Sequence, residues 1–190
     1  MAPLHVIYGL WVAWAFSWFV AAAWSSRTVA RPAFFTVLPD RFVTVLGAFL
    51  LFSSRPEAPL HSVPLWQVDD AVARVLVAIT AGGFALCWWA RIYLGRLWSG
   101  NVTRKENHTI VDTGPYRLVR HPIYTGIIIA SFATAIAIGT PGSFAGAAIM
   151  SLGWYLKARV EERFLRESLG TQAYDAYARK TAMLIPFVKF

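Results

Sequence analysis

The chain has one cysteine, Cys87, set within an apolar run, so no intrachain disulfide is available and cysteine usage says nothing about an oxidising compartment. Acidic residues are scarce: 10 Asp and Glu stand against 18 Lys and Arg in 190 residues. No Gly-x-Ser-x-Gly elbow is present, and Gly95, Gly100 and Gly114 fit no Rossmann or phosphate-loop fingerprint. There is no internal repeat and no low-complexity tail. What the chain has in excess is apolar and aromatic surface: 57% hydrophobic residues, nine Trp, 13 Phe and a mean hydropathy of +0.49. A soluble domain is nearer half apolar, and amphipathic aromatics favour bilayer interfaces. The composition predicts one integral-membrane domain over 1–190.

The net charge of +8 does not argue for nucleic acid. The basic residues fall mostly in two blocks, 91–120 and 157–180, each beside an apolar segment, as the positive-inside bias produces at a cytoplasmic membrane face. Contact with anionic membrane lipids accounts for most of them.

A bilayer core takes about 20 apolar residues per helix. Segments 4–24, 36–53 and 71–94 meet or approach that, the second weakened by Asp40 and Arg41, the third flanked by Arg74 and Arg91, which must reach for the interfaces. Residues 122–156 carry no formal charge. As a single helix they would span about 50 Å, too long for one crossing. "GTPG" at 139–142 breaks the run and predicts a helical hairpin, 123–138 and 143–157. "KARVEERFLRESLG" continues the second arm to Gly170, a C-cap, and "TQAYDAYARK" reads as one more short amphipathic helix. The fold class is therefore all-α: a membrane bundle of about five transmembrane helices with a hairpin and a C-terminal extension into the cytoplasm. Counting basic residues in the loops places the N-terminus outside. The segment 1–90 supplies N-terminal helices that complete the bundle and shape a lipid entry; 91–190 forms the core that carries the chemistry.

A hairpin returns its end to the face where it began, so the polar residues flanking it can be neighbours. One flank offers Tyr116, Arg117, Arg120, His121 and Tyr124, the other Lys157, Arg159, Glu161, Glu162 and Arg163. Cations and carboxylates at one mouth suit a zwitterionic ligand. They equally suit lipid phosphates for the arginines and a Glu162–Arg166 pair at i,i+4. Adjacent glutamates point about 100° apart, so only one of Glu161 and Glu162 is expected to face the mouth. His108 and His121 with Glu161 have no metal-ligand spacing, and no metal is expected.

"NHTIVDTGPYRLVRHPIYTG" followed by "EERFLRESLGTQAYDAYARKTAMLIPF" closely resembles the isoprenylcysteine carboxyl methyltransferase family, integral-membrane enzymes related to phospholipid methyltransferases. The resemblance covers about 91–190. It implies the cofactor S-adenosyl-L-methionine, leaving as S-adenosyl-L-homocysteine. By position it implies cofactor contacts at Asn101, His108, Thr109, Ile110, Val111, Tyr116, His121, Pro122, Ile123, Tyr124 and Glu161. The cofactor's ammonium needs a carboxylate, Glu161 or Glu162, and its carboxylate needs donors such as Arg120 or His121. A basic residue one turn before the glutamates is implicated in substrate binding in eukaryotic relatives. Here it is Lys157 in place of arginine, with Arg159 as a substitute. A carboxylate acceptor would need no general base, being ionised at neutral pH, so no catalytic residue is assigned. The implied reaction is carboxyl O-methylation of an isoprenylcysteine-like or other lipidic acceptor. N-methylation of a phospholipid or lipid amine, and a non-catalytic lipid-binding protein of the same fold, stay open. Oligomeric state is not legible.

Overall fold

A computed structural model describes residues 2–25, 27–30, 33–54, 63–99, 104–105 and 110–188. Six α-helices dominate it: α1 (Ala2–Ala21), α2 (Leu38–Ser53), α3 (Asp70–Leu94), α4 (Pro122–Ile138), α5 (Pro141–Leu169) and α6 (Thr171–Lys180). Short 3-10 turns cover Phe34–Val37, Gly95–Leu97 and Gly114–Arg117. Two short antiparallel strands, β1 (Thr28–Ala30) and β2 (Arg104–Lys105), pair between the α1–α2 and α3–α4 connections.

The ends of the helices follow from local chemistry. Asp69 caps α3 by accepting from the Val72 amide at 2.8 Å. Pro122 and Pro141 sit at the starts of α4 and α5, where a missing N–H costs nothing. Gly139 stops α4 in the left-handed region, φ +75, and Thr140 with Ser143 forms a capping box on α5. The predicted hairpin is thus built as a left-handed stop followed at once by a capped start. Leu65 and Trp66 reach the same corner, with the Leu65 amide on Gly139 O at 2.7 Å and the Trp66 indole on Ile136 O at 3.2 Å.

The molecule is an all-α membrane helical bundle. By length and composition, Pro3–Ala21, Phe35–Ser53 and Asp70–Leu97 are long and apolar enough to cross a membrane, and Pro122–Ile138 is a shorter apolar helix. The first part of α5 does not join them, because Gly, Ser, Trp and Tyr dilute its hydropathy up to Lys157; it packs between α2 and α4. Large side chains such as Val12, Phe16, Phe42 and Val45 point outward, as expected where the solvent is lipid.

α2 pairs closely with α5 and α3 with α4, and α1 packs on α3. Trp11, Trp14 and Phe84 interlock there, with ring centroids 4.9 to 6.0 Å apart, and the Trp11 indole donates to Thr134 of α4 at 2.9 Å. Arg91 corrects the expectation of an arginine reaching for the interface. It is fully buried, its guanidinium lies between the Trp24 and Trp98 rings, 4.7 and 4.6 Å from their centroids, and it donates to the carbonyls of Ala21, Trp24 and Gly95. A polar fork that satisfies three carbonyls where α1 and α3 end is less costly inside than three unpaired carbonyls. Arg74 is exposed.

Candidate functional site

The sequence at 114–124 makes a tight turn and then a helix. Gly114, at φ +56, brings the chain so close to α3 that an added Cβ would run into the Tyr93 ring. The 3-10 turn buries Tyr116, and α4 starts one residue after His121. The stretch 119–121 is fixed by residues 181–184. Val119 bridges in parallel to Ala182, the amides of Arg120 and His121 donate to Ala182 O and Met183 O at 2.8 and 3.1 Å, and Thr125 Oγ1 donates to Leu184 O at 2.6 Å.

The two flanks of the hairpin meet. Tyr124 Oη donates to Glu161 Oε2 at 2.6 Å. Arg120 holds Glu162 with Nε at 2.6 Å and Nη2 at 3.2 Å, while its Nη1 donates to the carbonyls of Ala178 and Thr181. His121 Nε2 lies 3.1 Å from Glu162 Oε1, its Nδ1 lies 3.8 Å from Glu161 Oε2, and its ring stacks on Tyr124 at 5.2 Å. Of the two glutamates only Glu161 lines the cavity beside this cluster, as the 100° between adjacent side chains predicts, although both touch His121. The imidazole sits between both, so a 100° difference in direction still leaves each with a partner. The alternative Glu162–Arg166 pair does not form: Arg166 binds Asp175 of α6 at 2.7 Å.

Burial pushes the Glu162 carboxyl up, but hydrogen bonds from His121 and Arg120 outweigh it and hold the group below the usual carboxylate range. Burial, followed by the nearby Glu161 charge, raises the Tyr116 phenol well above its ordinary value; burial also raises Tyr174 and Tyr177. All three remain proton donors at neutral pH.

A cavity of about 320 Å³ opens beside this cluster. Of the residues singled out in the sequence, Ile110, Val111, Tyr116, Arg120, His121, Pro122, Ile123, Tyr124, Lys157 and Glu161 line it. Glu162 stands behind Arg120 and His121 and is not in the wall; Arg159 is exposed and Arg117 faces outward, away from the wall. Asn101, His108 and Thr109 lie outside the described residues. Lys157 extends over the rings of Tyr124 and Trp154, 5.4 and 5.0 Å from their centroids. Among the described residues no three His, Cys, Asp or Glu side chains group as a metal site.

Sequence reasoning missed much of the aromatic wall. Trp14 and Trp18 come from α1, which had been given only a scaffolding role, while Trp98, Trp154, Tyr174 and Tyr177 come from three other places in the chain: the turn after α3, α5 and α6. The density of Trp in segment 4–24 was the available signal. Three polar atoms of this wall are buried without a hydrogen-bond partner among the described residues: Trp14 Nε1, Trp154 Nε1 and Tyr116 Oη. Buried donors are ordinarily paired, so their placement around a cavity suits a polar organic ligand.

Matching against protein-family models finds the isoprenylcysteine carboxyl methyltransferase family over residues 75–167. That segment belongs to the family. It contains α4, most of α3 and of α5, and the whole Tyr124–Glu161 pair. Curated relatives extend the likeness. The chain is 27% identical over 174 residues to methanethiol S-methyltransferase 1 of Bradyrhizobium diazoefficiens, covering 86% of this chain and 58% of that protein. It is 35% identical over 88 residues to protein-S-isoprenylcysteine O-methyltransferase A of Arabidopsis thaliana, covering 46% and 44%. It is 31% identical over 99 residues to the cobalt-zinc-cadmium resistance protein CzcN of Cupriavidus metallidurans, covering 49% and 43%. The matched part of the chain thus spans about half the length of these relatives.

Proposed function

We propose that the protein is a membrane methyltransferase that takes its methyl group from S-adenosyl-L-methionine and delivers it to a small or lipidic acceptor. The observation that carries this reading is the meeting of His121, Tyr124 and Glu161 at one wall of an aromatic cavity whose Trp14, Trp154 and Tyr116 donors have no hydrogen-bond partner among the described residues. The residues fit the cofactor: a carboxylate for its ammonium, imidazole and guanidinium donors for its carboxylate, stacked aromatic faces for its adenine.

When bound, the cofactor supplies an electrophilic methyl on a sulfonium. The chain's task is then alignment and exclusion of water. Glu161, oriented by the Tyr124 hydroxyl, holds the ammonium end. Arg120 spends four of its N–H groups on Glu162, Ala178 and Thr181, so it fixes His121 more than it reaches into the cavity. Trp14, Trp18 and Trp98 close the apolar side and keep water from the reacting atoms. Lys157, one turn before Glu161, presents a cation to the acceptor.

The acceptor this favours is an acid that is ionised without a base, such as the carboxylate of an isoprenylcysteine-like molecule. A thiol is the second reading, favoured because the likeness to the methanethiol enzyme extends over 86% of this chain. A lipid amine fits less well beside the Lys157 ammonium. The placement of the α1 end, the α2 start, the α3 end and the cluster at one end of the bundle, with Arg27, Arg96 and Arg117 there, supports a cytoplasmic site and an outer N-terminus.

The test is incubation of the purified protein with radiolabelled cofactor and native membrane extract, followed by identification of the labelled product. A labelled acid ester, thioether or amine names the acceptor class. Cofactor binding without any labelled product favours a non-catalytic lipid-binding role, and failure to bind the cofactor removes the proposal.

A further inference from the structure

The interface between α2 and α5 has a strict antiparallel register. A Cβ added at Gly146 would meet the backbone of Leu51, one at Gly47 would meet Met150, and one at Gly153 would meet Thr44. On each helix these positions follow a 4–3 spacing, the seam of a tightly packed pair. The next step along α5 is Lys157, and the next step along α2 is Asp40. Continuing the register sets Asp40 opposite Lys157.

Asp40 behaves as that position requires. An acid in the first turn of a helix ordinarily stands in water, where it complements the dipole. Asp40 is only 3% exposed, and its Oδ1 has no hydrogen-bond partner among the described residues. A buried carboxylate is costly without a cation close by. Asp40 and Lys157 lie near enough to feel each other's charge, and the other charged groups acting on Lys157 are Glu161 on its own helix and Arg41 beside Asp40. Tyr124 faces Lys157 from α4 with its ring.

We propose that Asp40 is a positioning residue of the site: it anchors the Lys157 ammonium from α2, so that Lys157 points along the cavity wall over Tyr124 and Trp154 instead of folding back onto Glu161. This rests on the acceptor role given to Lys157 above. It makes α2, outside the matched segment 75–167, part of the machinery. Glu161 is thereby left to the cofactor, and each carboxylate has one cation to serve.

The experiment uses the full chain in lipid nanodiscs, titrated separately with S-adenosylhomocysteine and with hexanoate as an anionic probe of the acceptor end, both read by tryptophan emission. Asp40→Asn is expected to weaken hexanoate roughly tenfold and leave the nucleoside affinity unchanged. Asp40→Glu restores hexanoate binding, which a merely structural loss would not permit. In a Lys157→Met background Asp40→Asn has no further effect. Equal hexanoate affinity in Asp40→Asn and wild type, equal loss in both titrations, or additive losses from Asp40 and Lys157 would overturn the proposal. If Asp40→Asn does not insert, Asp40→Ser takes its place with the same expected pattern. Hexanoate that fails to bind wild-type protein removes the acceptor role of Lys157 and this proposal with it. A nucleoside that fails to bind strikes the methyltransferase reading, and the hexanoate series still decides the pairing.

Discussion

Tyr124 Oη and Glu161 Oε2 meet at 2.6 Å across 37 residues of chain. With the Arg120–Glu162 and His121–Glu162 contacts, that bond closes the open end of the hairpin, since Tyr124 lies in the first turn of α4 and Glu161 near the far end of the much longer α5. It fixes one oxygen of a carboxylate that lines the cavity.

Glu161→Gln and His121→Ala are each expected to abolish binding of labelled S-adenosylmethionine while the protein remains inserted in the membrane. Tyr124→Phe keeps the carboxylate but removes its buried donor, and should weaken binding by about tenfold. Calorimetric titration in detergent measures all three. An unchanged affinity in Glu161→Gln would contradict the assignment of this wall to the cofactor.

Glu162 sets a pH dependence. Its carboxyl is held below the ordinary value of 4.5, so its contribution to stability is complete above that pH and is lost as pH falls through the lower folded-state value. Melting temperature in detergent should therefore drop as pH is lowered below about 4.5. Glu162→Gln should melt lower than wild type at neutral pH and show a shallower acid decline.

The α2–α5 seam predicts a contrast between two glycines. A Cβ at Gly47 has nowhere to go but the Met150 backbone, and Gly47→Ala should cost about 1–3 kcal/mol through overpacking. Nothing lies within 4 Å of a Cβ at Gly82, and Gly82→Ala should be neutral or stabilise by up to about 1 kcal/mol through helix propensity. Thermal melts of the two variants decide this, and a similar shift for both would refute the close approach.

Arg91 should resist even conservative exchange. Lysine cannot reproduce a planar fork that reaches three carbonyls between two indole rings. Arg91→Lys is expected to lose at least about 2 kcal/mol, since carbonyls at the end of α1 are left unpaired. Tryptophan emission should shift to the red as the buried Trp98 becomes wet.

Much of this was legible in the sequence, for identifiable reasons. The uncharged stretch 122–156 with its Gly-Thr-Pro-Gly interruption dictates a hairpin, because neither bilayer thickness nor backbone geometry permits anything else. Residues 171–180, with apolar and polar positions at helical spacing, form α6 as expected. The meeting of residues 120–124 with 161–162 followed from the hairpin alone. What escaped notice depends on contacts far apart in the chain. Nothing periodic in Trp14 and Trp18 says that they turn toward a cavity and not toward lipid. The tie between 119–121 and 181–184 joins two irregular stretches about 60 residues apart, and neither carries a pattern. Arg91 read as a flanking charge because local sequence cannot show three carbonyls converging on it.

That tie also orders the life of the molecule. A nascent chain halted before Thr181 would already hold every long apolar helix, yet the backbone amides of Arg120 and His121 would lack their acceptors. Insertion of those helices into the bilayer and assembly of the cavity wall around Arg120 and His121 are therefore separate events during synthesis, the second waiting for residues 181–184, which are made after α1 to α6.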